Sequence, residues 1–184
     1  MNRVSSSRRL KGVEDLNSRT VLTGVILVIS MVCSFSASAA DSDNSPLGIA
    51  LFPPLQLPNS GYGIVGLRLS LVGVHREAQG IDLALLGNVT NKKFRGLAIA
   101  GLFNYNSGLS TVVGLQAATI ANLNTASSTV YGVQLAGYNT AGTVYGLQLG
   151  LVNVANDLHG VQIGLFNINK TGLFKGSPII NIGF

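Results

Sequence analysis

The chain has 184 residues, of which 47% are hydrophobic, 10% charged and 23 are glycine, with a formal charge of +5. This composition excludes an intrinsically disordered chain and, lacking a strict glycine period, a collagen-like one. So few charges also exclude a nucleic-acid binder built on a basic face, and no nucleic-acid partner is expected.

Residues 1–40 read as a secretory signal peptide. Arg3, Arg8, Arg9, Lys11 and Arg19 form a basic start, Val21–Phe35 an apolar run, and Ser36–Ala40 a stretch of small residues. Cleavage is expected after Ala39 or Ala40. The apolar run is shorter than the roughly 20 residues a membrane-spanning helix needs. Ser7-Arg8-Arg9 leaves the twin-arginine route open beside the general one. Cleavage removes Cys33, Met1 and Met31, so thiol and disulfide chemistry are excluded from the mature chain. It also takes five of the 12 basic residues and two of the seven acidic ones, leaving a nearly neutral chain. Water-covered surfaces are usually about a quarter to a third charged, so part of this protein is expected to face something other than water.

Residues 41–61 form an extended lead-in, and residues 62–184 a single repeat domain. One phrase recurs from Gly66-Leu67-Arg68-Leu69 through Gly80-Ile81-Asp82-Leu83, Gly96-Leu97-Ala98-Ile99, Gly114-Leu115-Gln116-Ala117, Gly132-Val133-Gln134-Leu135 and Gly146-Leu147-Gln148-Leu149 to Gly160-Val161-Gln162-Ile163. The opening glycines are 14, 16, 18, 18, 14 and 14 residues apart, and Asn88, Asn104, Asn122, Asn139, Asn153 and Asn167 close the phrases. Apolar residues alternate within each phrase, which is the period of a β-strand with one apolar face. The phase slips at Leu151-Val152, where a bulge or corner is expected. Each unit is expected to be one strand of about ten residues followed by a tight turn.

Two all-β architectures fit. In an antiparallel outer-membrane barrel of about eight strands the leucines face lipid and the glutamines point inward. In a parallel β-solenoid the leucines are expected inside, and equivalent positions stack. Arg68 then lies against Asp82, while Gln116, Gln134, Gln148 and Gln162 form one ladder and the six asparagines another. The scarcity of charge favours the barrel. So does the alternation Ile180, Ile182, Phe184, which is similar to the terminal strand by which outer-membrane barrels are recognised for assembly. Tyr131, Tyr145 and Phe94, at strand edges or in a connection, could form an interfacial girdle. The barrel is the expectation and the solenoid its alternative.

The order Leu51-Phe52-Pro53-Pro54-Leu55, Gly66-Leu67-Arg68-Leu69-Ser70-Leu71, the repeated Gly-(Leu/Val)-Gln-(Leu/Ile)-Gly-Leu-(Val/Phe)-Asn and Pro178-Ile179-Ile180-Asn181 resembles the bacterial surface-repeat proteins of spirochaetes and other Gram-negative bacteria. The resemblance covers essentially all of the mature chain. It implies an exported, envelope-associated protein and transfers no catalytic residues. Ala98 and Arg68 depart from the pattern where Gln is usual.

Catalytic signals are sparse. Gly61-Tyr62-Gly63-Ile64-Val65-Gly66 matches G-x-G-x-x-G, but a strand follows where a dinucleotide site needs a helix. His75 and His159 read as residues of connections, and Asp157 beside His159 as a local hydrogen bond. No metal-ligand spacing appears, and the carboxylates Asp41, Asp43, Glu77, Asp82 and Asp157 suggest no acid–base constellation. Lys92, Lys93 and Arg95 read as a solvated loop able to touch acidic surface polymers. The expectation is a non-enzymatic protein of the outer membrane or cell surface, without metal or cofactor. Its expected partners are outer-membrane lipid, envelope proteins or surface polymers; the alternative is a periplasmic or surface binding module.

Overall fold

The computed structural model describes residues 44–184; residues 1–43, with the expected signal peptide, Cys33, Asp41 and Asp43, lie outside the described residues. Ten strands follow one another: β1 (Asn44–Phe52), β2 (Leu55–Leu57), β3 (Gly63–Ala100), β4 (Phe103–Asn106), β5 (Thr111–Ala118), β6 (Ala121–Asn124), β7 (Thr129–Leu135), β8 (Tyr138–Leu149), β9 (Val152–Asn169) and β10 (Gly176–Gly183). From β3 to β9 every pairing between successive repeats is parallel and joins like to like. Gly96 pairs with Gly114, Gly114 with Gly132, Gly132 with Gly146 and Gly146 with Gly160.

The chain is therefore a parallel β-solenoid, and the antiparallel barrel is overturned. Only a parallel, in-register stack sets each asparagine and glutamine beside its own counterpart, where one amide donates to the next. The repeat conserves position for that reason.

A second correction concerns the unit. Each coil holds two strand segments, a long one such as Thr143–Leu149 and a short one such as Val152–Ala155, separated by a bend at Gly150-Leu151. The phase slip is this corner. A third correction concerns sidedness, because the leucines expected inside a solenoid lie outside. Gln148 and Asn153 are fully buried, whereas Leu135, Leu151 and Ile163 are exposed. The corner carbonyls need donors, and interior amides supply them: Asn139 Nδ2 reaches the Leu149 carbonyl at 2.8 Å and Asn153 Nδ2 the Ile163 carbonyl at 2.9 Å.

Glycine opens every repeat for two reasons. Gly66, Gly80, Gly96, Gly114, Gly132, Gly146 and Gly160 all have φ between +119° and +147°, a region few side chains tolerate. From Gly80 onward a Cβ there would also collide with the carbonyl oxygen of the glycine one coil back.

The apolar part of the core is a narrow column of Val112, Val130, Val144 and Leu158, joined by Ala78, Ala98, Ala141, Ala155 and Phe94. Phe94 thus belongs to the core within β3 and not to a connection or a girdle. At the start, β1 runs parallel to β3 with Gly48 beside Arg68, and β2 folds back on β1. At the other end β10 turns antiparallel on β9 and sets Asn181 beside Gln162.

Candidate interaction surface and polar interior

Two amide ladders run through the interior. Asn88, Asn104, Asn122, Asn139, Asn153 and Asn167 form one, each Nδ2 donating to the next Oδ1 at 2.8–3.0 Å. The other runs the opposite way, with Gln162 donating to Gln148, Gln148 to Gln134 and Gln134 to Gln116 at 2.7, 2.7 and 3.2 Å. Asn181 continues it at 3.3 Å from Gln162 Oε1. Asn124 Nδ2 also donates to Gln116 Oε1 at 3.0 Å, and the asparagine ladder touches the same residue where Asn122 Nδ2 donates to the Gln116 carbonyl at 3.1 Å.

Where the glutamine ladder stops, at Ala98, a charged group takes its place. Arg68 is 0% exposed and grips Asp82 with two prongs, Nε to Oδ1 at 2.7 Å and Nη2 to Oδ2. Its Nη1 donates to His75 Nδ1 at 3.0 Å. Room for the guanidinium comes from Gly48 and Gly73, whose missing Cβ atoms would touch the arginine stem. Burial, and then the Arg68 charge, lower the His75 pKa to about 4, against a small opposing pull from the Pro58 carbonyl. Burial also pushes the Asp82 carboxyl up, with Arg68 opposing. His75 is a strand residue of β3, fully enclosed, and not part of a connection; no sequence pattern announces its contact with Arg68.

The outer surface is divided. Along the coil corners the exposed residues are Leu85, Leu102, Ile120, Leu151 and Leu165. Flanking this ridge on the long segments are Ile99, Ala117, Leu135, Leu149 and Ile163, and beyond them Leu97, Leu115, Val133, Leu147 and Val161. On the short segments the outward rows are Phe103, Tyr138 and Val152, with Ala121 of the same row covered by its neighbours, and Tyr105, Leu123, Thr140 and Val154. None of these positions is charged.

The charges gather at the opposite end of the coil, where short segment turns into the next long one. Lys92, Lys93, Arg95 and Lys170 are exposed there. Lys92, Lys93 and Arg95 lie within β3 and not in a loop. Asp157 and His159 also sit here, within β9, with His159 Nε2 3.1 Å from Asp157 Oδ2. The Thr171 hydroxyl, 2.8 Å away, lowers the Asp157 pKa, with His159 adding to it. Tyr131, Tyr145 and His159 stack face to face, at centroid distances of 4.9 and 4.5 Å. This stack was legible only as aromatic residues before repeat glycines.

Among the described residues, no three His, Cys, Asp or Glu side chains group as metal ligands. Gly61-Tyr62-Gly63 forms a turn that leads into β3, with no helix behind it to hold a phosphate. A cavity of about 630 Å³ near β10 is lined mainly by apolar groups including Leu158, Phe174, Ile180 and Phe184, with Asp157 at its edge. Ile180 and Ile182 are exposed on β10, and Phe184 follows it, fully exposed. Comparison with protein-family models, with curated proteins and with solved structures gives no match.

Proposed function

We propose that this chain is an exported, non-enzymatic protein of the bacterial cell envelope, of the surface-repeat kind, whose outer surface is its working part. One observation carries the reading: beside a narrow apolar column, rows of amides that a water-facing protein would expose are inside, and rows of leucine and isoleucine that it would bury are outside. Gln134, Gln148 and Gln162 are 0% exposed, whereas Leu151 and Leu165 are each 60% exposed. Contiguous exposed apolar surface on this scale marks a contact with lipid or protein. The basic, apolar and small-residue succession of residues 1–40 supports export.

The test is to express the full chain in a Gram-negative host, fractionate the cells and weigh the product. A mass matching cleavage after Ala39 or Ala40, in the envelope fraction, is expected. Full-length protein in the cytosol would overturn the reading.

A further inference from the structure

The outer surface divides into a ridge without charge and a rim with an excess of positive charge, and each half has a separate chemical counterpart. The ridge, Leu102, Ile120, Leu151 and Leu165, is wholly apolar, and the rows on both sides of it add no charge. On the rim the turns between coils carry mostly small and polar residues, with Leu109, and Leu173, Phe174 and Phe184 at the last coil, as exposed apolar exceptions. Among the described residues, Lys92, Lys93, Arg95 and Lys170 there outnumber the half-exposed carboxylates Glu77 and Asp157.

We propose that the solenoid beds its corner ridge into one leaflet of an anionic bilayer, with the loop rim and its lysines at headgroup level or above. The inference rests on the envelope reading above and names the occupant of its surface as lipid. Three features support it together. Hydrocarbon is complementary to a surface from which every charge is missing. Anionic headgroups are complementary to the cationic rim, each lysine or arginine near such a surface being worth about fivefold in binding. The backbone can also enter lipid without penalty at the corners. The Leu102, Ile120, Leu151 and Phe166 amides all donate to the coil before, and the asparagine ladder satisfies further corner carbonyls. Unpaired peptide groups, the usual bar to irregular backbone in hydrocarbon, are thereby removed. Insertion of one apolar edge beneath a basic rim is the geometry of an interfacial protein and not of a spanning one.

The absence of tryptophan from the chain makes single-tryptophan reporters clean. Leu151→Trp and Leu165→Trp place the reporter on the ridge; Ser127→Trp places it on the rim. Each variant, purified in its processed form and checked by circular dichroism, is mixed with phosphatidylglycerol vesicles containing bromine-labelled acyl chains. Ridge fluorescence is expected to fall to about half or less and rim fluorescence to stay within about a tenth of its starting value, as burial of the apolar edge alone requires. Leu151→Lys with Leu165→Lys should weaken vesicle binding by at least about tenfold, and exchange for phosphatidylcholine should do likewise.

Several outcomes overturn the proposal. One is a blue-shifted ridge tryptophan that bromine does not quench, in a chain that sediments as a dimer; a second copy then covers the ridge. Equal quenching at ridge and rim would mean full immersion, and no vesicle binding by a monomer would leave lipid without a role. Since these measurements use purified protein and vesicles, they can fail while fractionation succeeds, or the reverse.

Discussion

Gln148 donates from Nε2 to Oε1 of Gln134, one coil back, at 2.7 Å, while the neighbouring Asn139 donates one coil forward to Asn153 at 2.9 Å. The two interior ladders therefore point their amide dipoles in opposite directions along the axis. Each amide is both donor and acceptor, so one residue type repeated in register satisfies itself, which no hydrophobic core requires. This is why the interior tolerates so much polarity: a buried polar group is costly only when unpaired.

Asn139 is the point at which that economy can be broken. Its Nδ2 serves Asn153 Oδ1 and the Leu149 carbonyl, and its Oδ1 accepts from Asn122. Asn139→Ala should cost roughly 2–5 kcal/mol, since two buried acceptors lose their donor. Asn139→Asp should cost more, because a carboxylate turns acceptors toward acceptors. Urea unfolding of both variants checks this, with Asn156→Ala on the rim as a control expected to cost far less.

The repeat, its strand character and the composition of its two faces were legible from the alternation of Leu147, Leu149 and Leu151 with Gln148 and Gly150. Which face is inside was not, because alternation groups residues by side without saying which side meets solvent. Strand direction was equally hidden, since one phrase reads the same whether its neighbour runs parallel or antiparallel. Its only trace was the recurrence of Gln and Asn at matching positions. The Leu151-Val152 slip announced a bulge or a corner without deciding between them, and not that the segment beyond it would be a second strand layer contributing Asn153 to the interior. The Arg68, Asp82 and His75 cluster was half visible. Arg68 and Asp82 share the glutamine position, whereas the approach of His75 depends on Gly48 and Gly73 leaving space for the arginine, which no local pattern states.

At Gly146 the fold depends on the absence of a side chain. Gly146→Ala combines a φ of +142° with a Cβ driven onto the Gly132 carbonyl oxygen, and should cost at least about 3 kcal/mol. Ile179 presents the reverse case: a β-branched residue held at φ 69°, at the register shift between β10 and β9. Ile179→Gly should therefore be neutral or stabilising by up to about 1 kcal/mol, despite glycine's entropy in the unfolded chain. Thermal melts of the two variants should shift in opposite directions, or by a large and a negligible amount; equal losses would contradict the argument.

His75 makes stability dependent on acid. Its folded pKa of about 4 lies below the 6.5 of the free side chain, so between those values the unfolded chain binds more protons and stability rises with pH. The contribution is complete above about pH 6.5 and is lost progressively toward pH 4, by at most about 3 kcal/mol. Asp82, raised by burial, acts with the opposite sign: stability falls as pH rises through the carboxylate range. Subtracting the curve of His75→Gln, which keeps an acceptor for Arg68 and does not titrate, isolates the histidine. Its difference from the parent should grow with pH between 4 and 6.5 and be flat above.

Arg68 and Asp82 should behave as a unit. Removing either alone, by Arg68→Gln or Asp82→Gln, leaves the other charge buried, a loss of about 3–5 kcal/mol. Replacing both by glutamine removes both desolvation penalties and puts amides where the Gln162-to-Gln116 ladder shows that amides can stack. The double variant should unfold within about 1 kcal/mol of the parent, or above it, as for other buried pairs exchanged for neutral groups. A double-mutant cycle measured by urea unfolding at pH 7 decides the matter. A coupling energy near zero would mean that the two charges do not depend on each other. Strong coupling, with a double variant still far below the parent, would mean that the coils at this end need the ion pair itself.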